Sequence, residues 1–184
     1  MFAAAMRRAP KQREDNMIAD PDDRVPTEDE VQELCEELAK LAGEHDLTIA
    51  TAESLTAGNL ASQLGRATSS GDWYCGGVIA YRKEVKYSLL KVPEGPVVSE
   101  EAALAMARST AELMGANLAV AVTGEAGPEP QEDKEPGTVW FGVFDHGSVD
   151  ATKRVFDGDP PDVLAATVAA SVRIIVDRAK SSGG

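Results

Sequence analysis

Cysteine and histidine are scarce in this chain, with two of each in 184 residues. Two cysteines make no disulfide framework, and so few thiols fit a protein of the reducing cytoplasm. Cys35 falls on the apolar stripe of a predicted helix, and Cys75 sits in Trp73-Tyr74-Cys75-Gly76-Gly77. Neither has the neighbours that metal ligation needs, so no metal and no cofactor is expected. Long apolar runs are lacking too. None reaches the roughly 18 residues that span a bilayer, so no membrane partner is expected. The short apolar stretch near Met1 gives way to charge too soon for a signal peptide. Basic charge is also in deficit: 18 Lys and Arg stand against 31 Asp and Glu, a formal net charge of -13. Such a surface repels phosphate backbones, which excludes nucleic acid as the expected partner. The acid is concentrated around residues 14–46, where it reads as a solvated tail and helix face.

Hydrophobic residues make up 43% of the chain, enough for one core. Residues 1–26 are polar, charged and Pro-containing, and read as a disordered tail. One domain is expected over residues 27–180. Thr27-Glu28-Asp29-Glu30 has the form of a capping box. Val31, Leu34, Cys35, Leu38 and Leu41 then repeat at helical spacing, with Gly43 as a stop. Strand-like and helical runs alternate after that. Strands are expected at 47–52, 77–81 and 118–123, and helices at 57–65, 83–90 and from Ser99 to near Gly115. An acidic, Pro-rich loop covers 128–136. Strands at 137–144 and 151–156 flank a hairpin turn over Asp145-His146-Gly147-Ser148-Val149-Asp150, and Pro160-Pro161 opens a last helix ending near Lys180. The alternation argues a single three-layer α/β/α domain. The hairpin makes one strand antiparallel, so the sheet is expected to be mixed.

Ligands of open α/β sheets gather where strands end and helices begin. Three segments fall there. In Thr51-Ala52-Glu53-Ser54-Leu55-Thr56-Ala57-Gly58 a serine lies between a strand and a helix, beside backbone N–H groups that can hold an oxyanion. The helix dipole would add to that. Ser54 or Thr56 would equally serve as a plain helix cap. In Tyr81-Arg82-Lys83-Glu84-Val85-Lys86, a lysine five residues beyond a strand end can act as a general base if its amine is neutral. It can also be one more solvated lysine, and at most one of the three cations is expected to point inward. The third segment, Thr123-Gly124-Glu125-Ala126-Gly127-Pro128, has glycines that let backbone N–H groups approach an anion. A Ser–His–Asp arrangement is disfavoured, because His45 precedes the first strand and His146 lies in the hairpin. Nothing near Cys75 would activate it as a nucleophile.

These segments resemble one family. Ala52-Glu53-Ser54-Leu55-Thr56-Ala57-Gly58 is similar to the Ala-Glu-Ser-x-Thr-x-Gly block of the CinA C-terminal domain family. Ser69-Ser70, Trp73, Gly77-Val78-Ile79-Ala80-Tyr81, Glu84 and Lys86 resemble its next block. Val98-Ser99-Glu100, Thr123-Gly124, Ala126-Gly127-Pro128, Pro136-Gly137-Thr138-Val139-Trp140 and Phe156-Asp157-Gly158-Asp159 follow in the family's order. The resemblance spans about residues 30–180. It implies a mixed, mostly parallel five-stranded sheet and a homo-oligomer, dimer or trimer. It also implies a nicotinamide-nucleotide amidohydrolase, converting nicotinamide mononucleotide to nicotinate mononucleotide and ammonia in pyridine-nucleotide salvage. Ser54 is then the nucleophile, Lys86 the base and Tyr81 their assistant, without metal. Glu53, Leu55, Thr56, Ala57, Gly58, Thr123, Gly124 and Gly127 are the expected substrate-binding set. N–H groups from Leu55 to Ala57 would hold the oxyanion, and the Gly124–Gly127 turn the substrate phosphate. Glu125 and Pro160 depart from the family, which often has a hydrophobic residue and an arginine there. The other reading is a catalytically silent nucleotide- or partner-binding module of the competence and DNA-damage response.

Overall fold

The computed structural model of the chain describes residues 25–127 and 134–182. The tail expected over 1–26, but for Val25 and Pro26, lies outside the described residues, as does most of the acidic loop expected over 128–136. Helix α1, Glu28–Glu44, starts on the capping box that the sequence spells. Thr27 accepts from the Glu30 N–H, and the Glu30 carboxylate accepts from the Thr27 N–H. Its buried residues Val31, Cys35, Leu38 and Ala42 form one stripe. Burial, with the Glu36 carboxylate adding to it, pushes the Cys35 thiol up to about 11.

The order that follows is β1 (Ile49–Glu53), α2 (Asn59–Gly65), α3 (Ser70–Trp73), β2 (Tyr74–Ile79), α4 (Lys83–Leu90), α5 (Glu100–Met114), β3 (Leu118–Gly124), β4 (Thr138–Asp145), β5 (Ser148–Val155) and α6 (Pro160–Ser181). The five strands form one sheet in the order β2-β1-β3-β4-β5. β1 pairs in parallel with β2 and β3, and β4 runs antiparallel to both β3 and β5. Four strands therefore point one way and β4 alone against them, the single domain and mixed sheet expected. β1, flanked on both sides, is buried throughout.

Successive strand side chains alternate between faces, and the core divides accordingly. Ile49, Leu118 and Val120 pack with α1 and α6 residues such as Leu38, Val172 and Ile175. Ala52 and Ala121 pack on the other face with Leu90 of α4 and Met106 and Ala107 of α5. Several boundaries differ from expectation, with β5 starting at Ser148 rather than 151. β2 begins at Tyr74 rather than Gly77, because its pairing with β1 reaches back to Ile49↔Tyr74 through a register shift. The one-turn α3 was not foreseen; four residues carry no periodicity to read. Tyr74 is tied into the sheet by its hydroxyl, 2.8 Å from Thr51 Oγ1. Burial pushes its phenol up to about 12.

Candidate active site

Ser54 follows the last residue of β1. Its N–H continues the sheet, donating to the Val122 carbonyl at 3.1 Å. By alternation it shares the face of Ala52, toward α4 and α5, and its residue is 9% exposed. The chain then turns sharply. The Ala57 N–H donates back to the Ser54 carbonyl, and the Asn59 N–H to that of Thr56. Ala57 sits at φ 50 and Gly58 at φ 99. A positive φ is strained for alanine, and such strain collects at functional turns. At Gly58 a Cβ would also come within 2.9 Å of Ile79 Cδ1. The Leu55 and Thr56 N–H groups make no hydrogen bond among the described residues. Thr56 Oγ1 is buried and has no partner either. The Ala57 amide, expected as an oxyanion donor, is thus engaged in the turn, while those of Leu55 and Thr56 remain open.

Glu53 lies on the opposite face from Ser54. Its carboxylate accepts from the N–H groups of Gly58 at 2.9 Å, Leu60 at 3.1 Å and Ala61 at 2.8 Å, and it is 0% exposed. Expected in the substrate-binding set, Glu53 instead caps α2 and does not reach the cleft. The Gly58 amide is likewise committed to it. The positive end of the α2 dipole already faces this carboxylate, which leaves little of it for an oxyanion.

Lys86 lies one turn inside α4, on the face that also carries Leu90, and both are buried. The residue is 1% exposed. Its Nζ donates to the Ala80 carbonyl at 2.7 Å and reaches that of Tyr81 at 3.4 Å. These carbonyls belong to the chain leaving β2. Of the three cations here, only Lys86 points inward; Arg82 and Lys83 are exposed. Tyr81 is 69% exposed.

Thr123, near the end of β3, faces the same side as Ser54. Its hydroxyl donates to the Val97 carbonyl at 2.6 Å, tying β3 to the segment that precedes α5. The following turn is held by backbone pairs: the Glu125 N–H donates to Thr138, and the Gly137 N–H to the Glu125 carbonyl. The Glu125 side chain is buried at 3% exposure. Its Oε1 accepts from the Gly127 N–H at 2.9 Å, with Gly127 at φ 81. The amide expected to hold a phosphate is therefore occupied by the chain's own carboxylate.

Ser54, Tyr81, Lys86, Thr123 and Gly124 line one cleft of about 360 Å³, with Lys83, Val97 and Val98. That volume lies in the small-ligand range of roughly 300–1,000 Å³. Leu55, Thr56, Ala57 and Gly58 form the turn behind Ser54, and Glu53 and Gly127 stay outside the lining. Lys83, Val97 and Val98 were missed. Lys83 carried a readable signal, a cation in the first turn of a helix, where the dipole disfavours it. His146 is paired with Asp145 in the exposed hairpin at 2.6 Å and does not line the cleft. Among the described residues, no group of three or more His, Cys, Asp or Glu is placed to hold a metal. No helix among them is long and apolar enough to cross a membrane.

Comparison with known proteins matches residues 31–178 to the model of the CinA C-terminal domain. A nicotinamide-nucleotide amidohydrolase, PncC, from Pseudomonas putida is 39% identical over 145 residues, covering 73% of this chain and 91% of that one. A CinA-like protein from Citrifermentans bemidjiense is 37% identical over 142 residues, 74% of this chain. The chain spans only 34% of that relative's length. A crystal structure of a competence-damaged protein (CinA) superfamily protein from Klebsiella pneumoniae superposes with a TM-score of 0.78 at 31% identity, over 82% of this chain and 98% of the other.

Proposed function

The chain belongs to the CinA C-terminal domain family, and from that premise we propose that it hydrolyses the carboxamide of nicotinamide mononucleotide with Ser54 as nucleophile and Lys86 as base. The observation that carries this reading is the meeting of Ser54 and the buried Lys86 in one cleft. The relative from Pseudomonas putida supplies the substrate.

The neutral amine of Lys86 takes the Ser54 Oγ proton as Oγ attacks the amide carbon. The carbonyl π pair moves onto oxygen, and the N–H groups of Leu55 and Thr56 receive the resulting oxyanion. Lys86 then gives its proton to the departing nitrogen, so that ammonia leaves and an ester to Ser54 remains. Water, deprotonated by the same amine, attacks that ester. The tetrahedral adduct collapses to the free nicotinate carboxyl, and Ser54 recovers its proton. Tyr81 lines the same opening and can hydrogen-bond the reacting groups through its hydroxyl.

Ammonia release from nicotinamide mononucleotide tests the proposal. Ser54→Ala should lower kcat by at least about a thousandfold, with an unchanged melting temperature. Lys86→Arg should be nearly as dead, because guanidinium does not give up a proton near neutral pH. Wild-type turnover should rise with pH as the Lys86 ammonium loses its proton. A fully active Lys86→Arg enzyme would refute the assignment. A folded wild type that releases no ammonia would favour the silent binding module.

A further inference from the structure

The chain carries a net charge of -13, yet no Asp or Glu stands among the described residues that line the cleft. Two lysines do, Lys83 and Lys86. In a protein with nearly two acids for each base, this lining suits an anionic ligand. The two lysines are placed very differently. Lys86 is buried with its Nζ on the Ala80 and Tyr81 carbonyls. Lys83 is exposed and makes no hydrogen bond or close ion pair among the described residues, though its charge, behind a backbone hydrogen bond and the charge of Arg82, helps hold the Glu84 carboxyl below its usual range. The adjacent Arg82 is engaged by Glu84 at 3.3 Å. Lys83 also sits in the first turn of α4, where the helix dipole disfavours a cation. A side chain that breaks a local rule at the mouth of a cleft points to a ligand that rewards it.

The other candidate for holding an anion is spent. The Gly127 N–H already donates to the Glu125 carboxylate, which is 3% exposed. A phosphate arriving there would have to displace a buried carboxylate and would meet its charge.

We infer that Lys83, and not the Gly124–Gly127 turn, reads the phosphate of the substrate, making Lys83 the residue that separates nucleotides from nucleosides. The inference rests on the amidohydrolase reading for the identity of the nucleotide, while its test reads binding alone. Lysine meets phosphate as a point charge, so Lys83→Arg should keep most of the effect and Lys83→Ala should lose it.

Calorimetric titration of the Ser54→Ala protein decides it, with nicotinamide mononucleotide and the phosphate-free nicotinamide riboside as probes. The nucleotide should bind the tighter of the two. Adding Lys83→Ala should collapse the ratio of their dissociation constants by about tenfold, the worth of one charge-assisted contact. Glu125→Gln should leave that ratio within about twofold. Three results overturn the inference: equal affinity for both probes in the parent, an equal loss for both in Lys83→Ala, or a ratio that Glu125→Gln raises and Lys83→Ala leaves alone. Lys83-dependent binding of the nucleotide by a wild type that releases no ammonia would sink the amidohydrolase reading and leave this one standing.

Discussion

The turns that end β1 and β3 lie side by side on neighbouring parallel strands, and each contains a glutamate whose carboxylate folds back onto backbone N–H groups. Both are buried, Glu53 at 0% and Glu125 at 3% exposure. They differ in what they consume. Glu53 takes three donors from Gly58, Leu60 and Ala61, all at the entrance to α2, and leaves the Leu55 and Thr56 amides open beside Ser54. Glu125 takes the Gly127 donor of its own turn. Backbone donors at a strand end are few. The carboxylate that reaches forward to the next helix leaves the donors of its turn open, and the carboxylate that folds onto its own turn takes one up.

The comparison can be broken most forcefully at Glu53. Glu53→Ala leaves three N–H groups without their charged acceptor. It should cost roughly 3 kcal/mol and lower the melting temperature by on the order of 10 °C. Loss of activity without loss of stability would mean that Glu53 serves the reaction directly. Glu125→Ala removes one such bond and should cost only about 1 kcal/mol, or roughly 3 °C. A penalty as large as that of Glu53→Ala would erase the distinction between the turns. The smallest effect sharpens it. Glu125→Ala frees the Gly127 amide, so inorganic phosphate at a concentration near its Kd should raise that variant's melting temperature by about 1 °C. The wild type should show a smaller shift in the same titration.

Much of this was legible in the residues. Thr27 and Glu30 announced the start of α1, and the span of α4 matches its reading from Lys83 to Leu90. The stretch over 145–150 announced the antiparallel hairpin, which the structure tightens to a turn with both His146 and Gly147 at positive φ, β5 starting already at Ser148. Ser54 and Lys86 were placed at strand ends that do share a cleft. Glu53 was misplaced by its neighbourhood with Ser54. Alternation along a strand sends adjacent side chains to opposite faces, and that rule alone would have taken it out of the cleft. The fate of the Gly127 amide was not legible. It depends on a side-chain rotamer of Glu125, which spacing and composition do not encode.

Thr123 holds the Val97 carbonyl, Ser54 hangs on Val122, and Lys86 on the carbonyls beyond β2. The Ser54 tie joins strands paired in parallel and the Thr123 tie closes 26 residues, whereas that of Lys86 is local, and parallel neighbours need long crossovers before they can meet. Such non-local closures come late on a folding route, after the entropy of the intervening loops has been lost. A partly folded or newly synthesised chain would therefore show helical structure well before the cleft is assembled. In a refolding experiment the far-ultraviolet signal should recover ahead of ligand binding at the cleft.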